Sequence, residues 1–402
     1  MIDFTKLLCG AVRQSDVLRY GESAERTPTH LLRFKRDKKP IVVWNSTPAC
    51  NLRCVHCYYS EQIENGNDGT LTTAEAKSMI DGLADFQAPV LLFSGGEPLL
   101  RPDLFELGEY AVARGIRTVI STNGTLIDQE VAHRIKQAGF SYVGISLDGI
   151  ESTNDRFRGV QGAFHAALCG IRACTAAGVK VGLRLTLNRH NFNDLSTILD
   201  LLEREQIRRA CFYHLVYAGR GRGLRSDDLT LAETRQAVDM LIDRTQDFCR
   251  RGVDLEILSV DNHADAPYLY RWMQTHAPKR AAEVLELLRW NGGNSSGVGI
   301  AAIDHRGEVH ADQFWQHYSF GNVRERPFGD IWQDTSDPLM AGLKDRKRWL
   351  KGRCARCQYL DICNGNFRVR AEAVYGDVWA ADPACYLTDE EIGLHGDVNE
   401  PA

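Results

Sequence analysis

The chain has 402 residues, 44% of them hydrophobic and 25% charged, enough apolar material for two or three folded units. A formal net charge of -5 argues against a general nucleic-acid binder, so no nucleic-acid partner is expected. The opening residues Met1-Ile2-Asp3-Phe4-Thr5-Lys6 carry an early acid with no long apolar stretch behind it, and no run approaches the roughly 20 apolar residues of a membrane span. The expectations are no signal peptide, no membrane span and a cytoplasmic location, where thiols stay reduced and clustered cysteines serve as metal ligands.

Residues 1–38 read as a short, charged N-terminal extension. Apolar runs then recur at 41–46, 90–94, 117–121, 141–147, 181–187 and 210–216, alternating with helical patterns. The helix at 73–86 opens on a Thr72-x-x-Glu75 capping box, and the one at 192–206 gathers Leu195, Ile198, Leu199 and Leu202 on one face. Six such units predict an α/β fold, a partial (β/α)6 barrel over 39–260 with its chemistry at the carboxyl ends of the strands. A helical connection at 261–295, a small cysteine-bearing domain at 296–390 and a tail at 391–402 complete the expected organisation.

The first strand runs into Cys50-Asn51-Leu52-Arg53-Cys54-Val55-His56-Cys57. Three thiolates from eight residues suit a four-iron cluster that keeps one iron open, because cluster irons are soft and the fourth needs a ligand other than cysteine. A zinc site is the competitor, and would want a fourth Cys or His nearby. The second strand closes on Ser94-Gly95-Gly96-Glu97-Pro98, where two glycines let backbone approach a ligand and a carboxylate can accept from an ammonium. Ser121-Thr122-Asn123-Gly124-Thr125 and Ser146-Leu147-Asp148-Gly149 end the next two strands, and both also read as turns.

CxxxCxxC followed about forty residues later by GGEP resembles the radical S-adenosylmethionine (SAM) superfamily. That resemblance implies that Cys50, Cys54 and Cys57 hold a [4Fe-4S] cluster whose open iron takes SAM. It further implies that Gly95, Gly96, Glu97 and Pro98 meet the methionine amino group, and that Ser121, Asn123, Ser146 and Asp148 meet the ribose and carboxylate. His56, with Val55, lies over the adenine in the same picture. Arg184 is a further candidate contact, as are Arg158 and Asn188, while Tyr58 and Tyr59 read as core. Reductive cleavage of SAM would give a 5'-deoxyadenosyl radical, with flavodoxin or ferredoxin as the electron donor.

Near the C-terminus, Cys354-x2-Cys357-x5-Cys363-x21-Cys385 offers four thiolates, again an iron–sulfur site with zinc as competitor. The pattern resembles the SPASM or twitch auxiliary domains of the same superfamily and implies one auxiliary [4Fe-4S] cluster, two in all. Cys9, Cys169, Cys174, Cys211 and Cys249 are expected to be ordinary buried thiols, and Asp312 a plain strand-end acid.

Asp312-Gln313-Phe314-Trp315, Gly321-Asn322-Val323 and Gly365-Asn366-Phe367-Arg368-Val369-Arg370 look like the tetrapyrrole-modifying branch. The implied partner is an iron tetrapyrrole substrate. The haem d1 type, which removes two propionates from 12,18-didecarboxysiroheme, is the first expectation. Oxidative decarboxylation of iron-coproporphyrin III to protohaem, or peptide modification, is the alternative. Arg220, Arg222, Arg225, Arg324, Arg326, Arg368 and Arg370 are available to grip its carboxylates, and His214, His263, His310 and His317 to approach its iron.

Overall fold

The apolar runs become strands because each is buried on both faces, the environment of a parallel sheet covered by crossover helices. In the computed structural model, which describes residues 1–13, 16–20, 39–64 and 69–394, these are β1 (Ile2–Asp3), β2 (Ile41–Asn45), β3 (Val90–Ser94), β4 (Arg117–Thr122) and β5 (Val143–Ser146). They continue as β6 (Val181–Leu187), β7 (Arg209–His214), β8 (Glu256–Val260), β9 (Ile300–Ile303) and β10 (Val309–His310). One ten-stranded sheet takes them in the order β1-β8-β7-β6-β5-β4-β3-β2-β9-β10. The sheet is not closed, as expected for a partial barrel.

Both edges run past the six expected units. β8 adds in parallel beside β7, and β1 caps it antiparallel with Ile2 opposite Ser259, so the first residues of the N-terminal extension are tied to the sheet. At the other edge β9 pairs in parallel with β2, Ile41 opposite Ile300, although 300–303 lie within the expected C-terminal domain. The rest of the extension, 21–38, and most of the tail, 395–402, fall outside the described residues.

Local signals set the helix ends. Thr72 and Thr230 each close a capping box, with Glu75 and Glu233 reaching back to the cap, so the helices Thr73–Asp85 and Leu231–Arg250 start where their orphan N–H groups are satisfied. The helix Leu195–Arg204 buries Leu195, Ile198, Leu199, Leu201 and Leu202. Three cysteines depart from the expectation of ordinary buried thiols. Helix Phe4–Cys9 packs on Leu231–Arg250 and Cys9 is disulfide-bonded to Cys249, a pairing of residues 240 apart that spacing cannot reveal, while Cys169 is exposed. Among the described residues no helix is long and apolar enough to cross a membrane.

Candidate active site

The loop after β2 is held by its neighbours' backbone. Arg53 N–H donates to Arg158 O (3.1 Å), Val55 N–H to Phe157 O (3.0 Å), and Arg220 gives its N–H to Cys57 O (3.0 Å) and its Nε–H to Cys54 O (2.9 Å). Thus fixed, Cys50, Cys54 and Cys57 are free thiols lining one cavity of about 770 Å³ at the carboxyl ends of the strands. Burial pushes Cys50 up to about 11 and Cys57 up to about 12. Arg158 Nη1 donates to Cys54 Sγ at 3.5 Å, putting a cation beside the thiol.

The glycine pair acts first on the protein's own backbone. Gly96 N–H donates to Thr47 O and Glu97 N–H to Ala49 O, each at 2.7 Å. A Cβ on Gly95, whose φ is +129°, would stand 2.5 Å from Thr47 O, and one on Gly96 2.2 Å from Ala49 O. The close approach expected toward a ligand is therefore also an approach to the segment that launches the cysteine loop, though both glycines line the cavity.

Glu97 departs from its expected role. It is fully buried, accepts from Thr122 Oγ1 (2.7 Å), Asn123 N–H (2.8 Å) and Leu99 N–H (3.1 Å), and like Pro98 it is not part of the cavity lining. Its carboxylate fastens the end of β3 to the end of β4, and burial raises its pKa. Asp148 likewise stands behind the wall. It accepts from Thr186 N–H (2.6 Å), pairs with Arg158 and faces His56 Nε2 at 3.5 Å.

Ser121, Asn123, Ser146, Arg184 and His56 do reach the cavity. Arg184 Nη1 donates to Ser121 Oγ (2.7 Å), and Asn123 Nδ2 to Asn51 Oδ1 (2.8 Å), which ties the β4 end to the cysteine loop. His56 stacks on Phe157 with ring centroids 4.5 Å apart, and burial lowers its pKa to about 4, so it is neutral. Tyr58, expected in the core, lines the cavity, and its hydroxyl donates to Asn45 Oδ1 (3.0 Å); Tyr59 is core as expected.

The arginine expectations change most. Arg368 and Arg370 are fully buried. Arg368 donates to the carbonyls of Gly365, Val378 and Ala380; Arg370 donates to Leu215 O (3.2 Å) and Asp261 O (2.6 Å) and pairs with Asp382 (3.1 Å). Neither lines the cavity. Arg222 and Arg225 are exposed, Arg324 pairs with Glu75 and Arg326 with Asp334. Arg220 remains, joined on the wall by Arg158 and Arg184. Among the histidines, His214 and His263 line the cavity, whereas His310 bonds Tyr318 O and exposed His317 pairs with Glu372.

Two acids line the cavity: Asp312, expected as a plain strand-end acid, and Asp261, which the sequence did not single out. Asp312 is buried and accepts from Ser296 Oγ (2.5 Å) and Phe314 N–H (2.8 Å). Asp261, just past β8, has φ +67°, a left-handed conformation uncommon outside glycine, asparagine and aspartate. Burial pushes its carboxyl up to about 7. The folded chain therefore holds this proton more tightly than the unfolded one, whose aspartate titrates near about 4. Ionisation lowers stability as pH rises through about 4 to 7, and the loss is complete above that window. Asp261→Asn, which keeps both the shape and the tolerance of positive φ, is expected to raise the melting temperature at pH 8 and to raise it only about a third as much at pH 5. A gap that is equal at both pH values in thermal unfolding would refute this.

The C-terminal cysteines also converge. Cys354, Cys357, Cys363 and Cys385, all free thiols, line one small cavity with Ala264, Pro267, Leu360, Leu387 and Ile392 as apolar walls. Burial raises Cys357, lifts Cys385 to about 12 and raises Cys363 well beyond the ordinary thiol range. Among the described residues no group of three or more His, Cys, Asp or Glu is close enough to hold a single metal ion. Separate thiols around a shared space fit a multi-iron cluster, in which each thiolate binds its own iron.

The comparisons agree with this geometry. Residues 44–202 match the radical SAM superfamily model and residues 296–358 the SPASM iron-sulfur cluster-binding domain. The chain is 60% identical to Fe-coproporphyrin III synthase of Methanosarcina barkeri strain Fusaro, over 98% of its own length and 100% of the relative's. This chain belongs to the radical SAM superfamily. Its cofactors are accordingly SAM and iron–sulfur clusters, and the C-terminal thiols lie in and beyond its SPASM domain. It is also 45% identical to pre-heme d1 synthase of Dinoroseobacter shibae, over 90% of this chain and 89% of that one. Streptococcus suis SuiB bound to its precursor peptide shares the fold, with a TM-score of 0.70 at 17% identity over 92% of this chain and 84% of that one.

Proposed function

We propose that this radical SAM enzyme acts in haem biosynthesis, trimming carboxylate side arms from an iron tetrapyrrole to yield an iron coproporphyrin. The observation that carries this reading is the 60% identity, end to end, with a protein named Fe-coproporphyrin III synthase, against 45% with pre-heme d1 synthase. It moves the balance from the haem d1 expectation to the iron-coproporphyrin one. The relative's name makes iron coproporphyrin a product, whereas the decarboxylase expectation made it the substrate.

The cavity supports a large, flat, anionic guest. It holds about 770 Å³, its walls include Tyr58, Phe314 and Phe367, and Arg158, Arg184 and Arg220 bring guanidinium groups, which can fork onto carboxylates. SAM and its cluster supply one-electron hydrogen abstraction from a side arm. The chain's own residues do the placing. Cys50, Cys54 and Cys57 hold the first [4Fe-4S] cluster, with Arg158 balancing charge at Cys54. Gly95, Gly96, Ser121, Asn123, Ser146, Arg184 and His56 line the space for SAM, while Glu97 and Asp148 fix those residues from behind. Cys354, Cys357, Cys363 and Cys385 hold a second [4Fe-4S] cluster, and electrons arrive from a flavodoxin- or ferredoxin-type donor.

The test is anaerobic incubation of reconstituted enzyme, SAM and reductant with 12,18-didecarboxysiroheme or with iron-coproporphyrin III, read by mass spectrometry. Iron-coproporphyrin III formed from the sirohaem derivative is the expected product. Loss of propionates would return the haem d1 reading, and vinyl formation from iron-coproporphyrin III the decarboxylase. In the same assay, alanine at Cys354, Cys357, Cys363 or Cys385 is expected to stop product formation while leaving part of the uncoupled SAM cleavage. Complete loss of both in a folded variant would overturn the division of roles.

A further inference from the structure

The large cavity and the small thiol cavity share two segments as a partition. Consecutive residues of two segments face opposite sides: His263 lines the large cavity and Ala264 the small one, while Phe367 lines the large cavity and Asn366 the small one. Asn366 locks the segments together, accepting from His263 N–H (2.7 Å) and donating from Nδ2 to Asn262 Oδ1 (2.7 Å).

On the substrate side of this partition stands a buried imidazole without an assigned task. His263 is 6% exposed, and its Nδ1 is buried with no hydrogen-bond partner among the described residues. Its ring lies nearly parallel to Phe367, at 15° with centroids 6.3 Å apart. The other cavity-lining imidazoles are placed differently. His214 Nε2 is bonded to Asp265 (2.9 Å), and His56, whose buried Nδ1 also has no hydrogen-bond partner among the described residues, sits inside the cysteine loop with Nε2 facing Asp148 (3.5 Å). An unpartnered buried nitrogen is costly unless a ligand meets it.

We propose that His263 is the axial ligand to the substrate's iron, seating the macrocycle against the partition that backs onto the C-terminal thiols. This rests on the iron-tetrapyrrole reading above. The bond is dative: the imidazole gives a lone pair and no proton moves, because burial holds His263 far below the usual imidazole range and so in its neutral, ligating form. Phe367 and Phe314, whose rings meet at 77° and 5.5 Å, add apolar surface beside the iron position. Iron would thus select among tetrapyrroles, since a metal-free macrocycle has nothing for His263 to hold.

The experiment titrates anaerobically reconstituted wild-type enzyme with iron-coproporphyrin III, 12,18-didecarboxysiroheme and metal-free coproporphyrin III, following haem absorption and electron paramagnetic resonance. Wild type should give the spectrum of an imidazole-ligated iron. His263→Ala should lose it and weaken iron-macrocycle binding at least about tenfold, with metal-free coproporphyrin bound equally by both. Added imidazole should restore the wild-type spectrum. His263→Met should give a distinct thioether-ligated one, an outcome a merely structural role cannot produce. Retained cluster absorbance and melting temperature certify that each variant folds. An unchanged iron spectrum in folded His263→Ala would overturn the ligand assignment alone, whereas wild type that binds no tetrapyrrole would sink the substrate class and this assignment with it.

Discussion

Replacing Cys54 with alanine is expected to abolish 5'-deoxyadenosine formation and to lower iron from about eight to about four atoms per chain. Cys54 is the middle thiol of the three that line the large cavity, and the one that receives a hydrogen bond from Arg158 (3.5 Å). Two remaining thiolates leave two irons of a cubane without protein ligands. Cys50→Ala and Cys57→Ala should behave alike, because the loop supplies one thiolate per iron and has no spare. The C-terminal thiols lie in a separate cavity and keep their share of iron. Anaerobic reconstitution, iron and sulfide analysis and chromatographic detection of 5'-deoxyadenosine decide the matter. Persistent 5'-deoxyadenosine in any of the three variants would show that the radical site is misassigned.

Arg370→Ala should destabilise the protein by about 3 to 5 kcal/mol, the cost of leaving a buried partner charge uncompensated. Arg370 and Asp382 are both fully enclosed, and the guanidinium also donates to Leu215 O and Asp261 O. Asp382 in turn accepts from Phe367 N–H (2.8 Å) and Ala384 N–H (2.9 Å), next to Cys385. One side chain therefore clamps the loops after β7 and β8 to the loop that carries the last C-terminal thiol. The variant should unfold at lower denaturant concentration and lose C-terminal iron more readily, with tetrapyrrole and SAM affinity falling together. A variant of wild-type stability that loses tetrapyrrole binding alone would restore the carboxylate-gripping role that the sequence suggested.

The two outcomes differ because they draw on different levels of structure. CxxxCxxC and the four C-terminal cysteines were legible directly as thiol sets, since residue type and spacing are properties of the sequence. So were the strands β2 to β7, whose apolar runs are long enough to stand out, and the capping box at Thr72. The short edges β1 and β10, two residues each, were beyond any periodicity argument, because only pairing with a partner strand defines them.

Side-chain assignment inside the site divided along the same line. Residue type alone marked Arg368 and Arg370 as carboxylate binders. Whether a guanidinium faces a cavity or caps carbonyls depends on the path of segments far away in sequence, here Leu215, Asp261 and Asp382. Glu97 was placed beside the right loop, but its lone pairs were claimed by β4 and its following turn, 25 and 26 residues on. The sequence by itself determined the superfamily and brought out the two cysteine sets and the strand ends where the large cavity lies, because those follow from residue chemistry and hydrophobic patterning. Only the tertiary structure decided which cations face the large cavity, that Asp261 and His263 stand on its wall, and that the segments at His263 and Phe367 border both it and the cavity of the C-terminal thiols, because exposure and partnership are set by packing between segments distant in the chain.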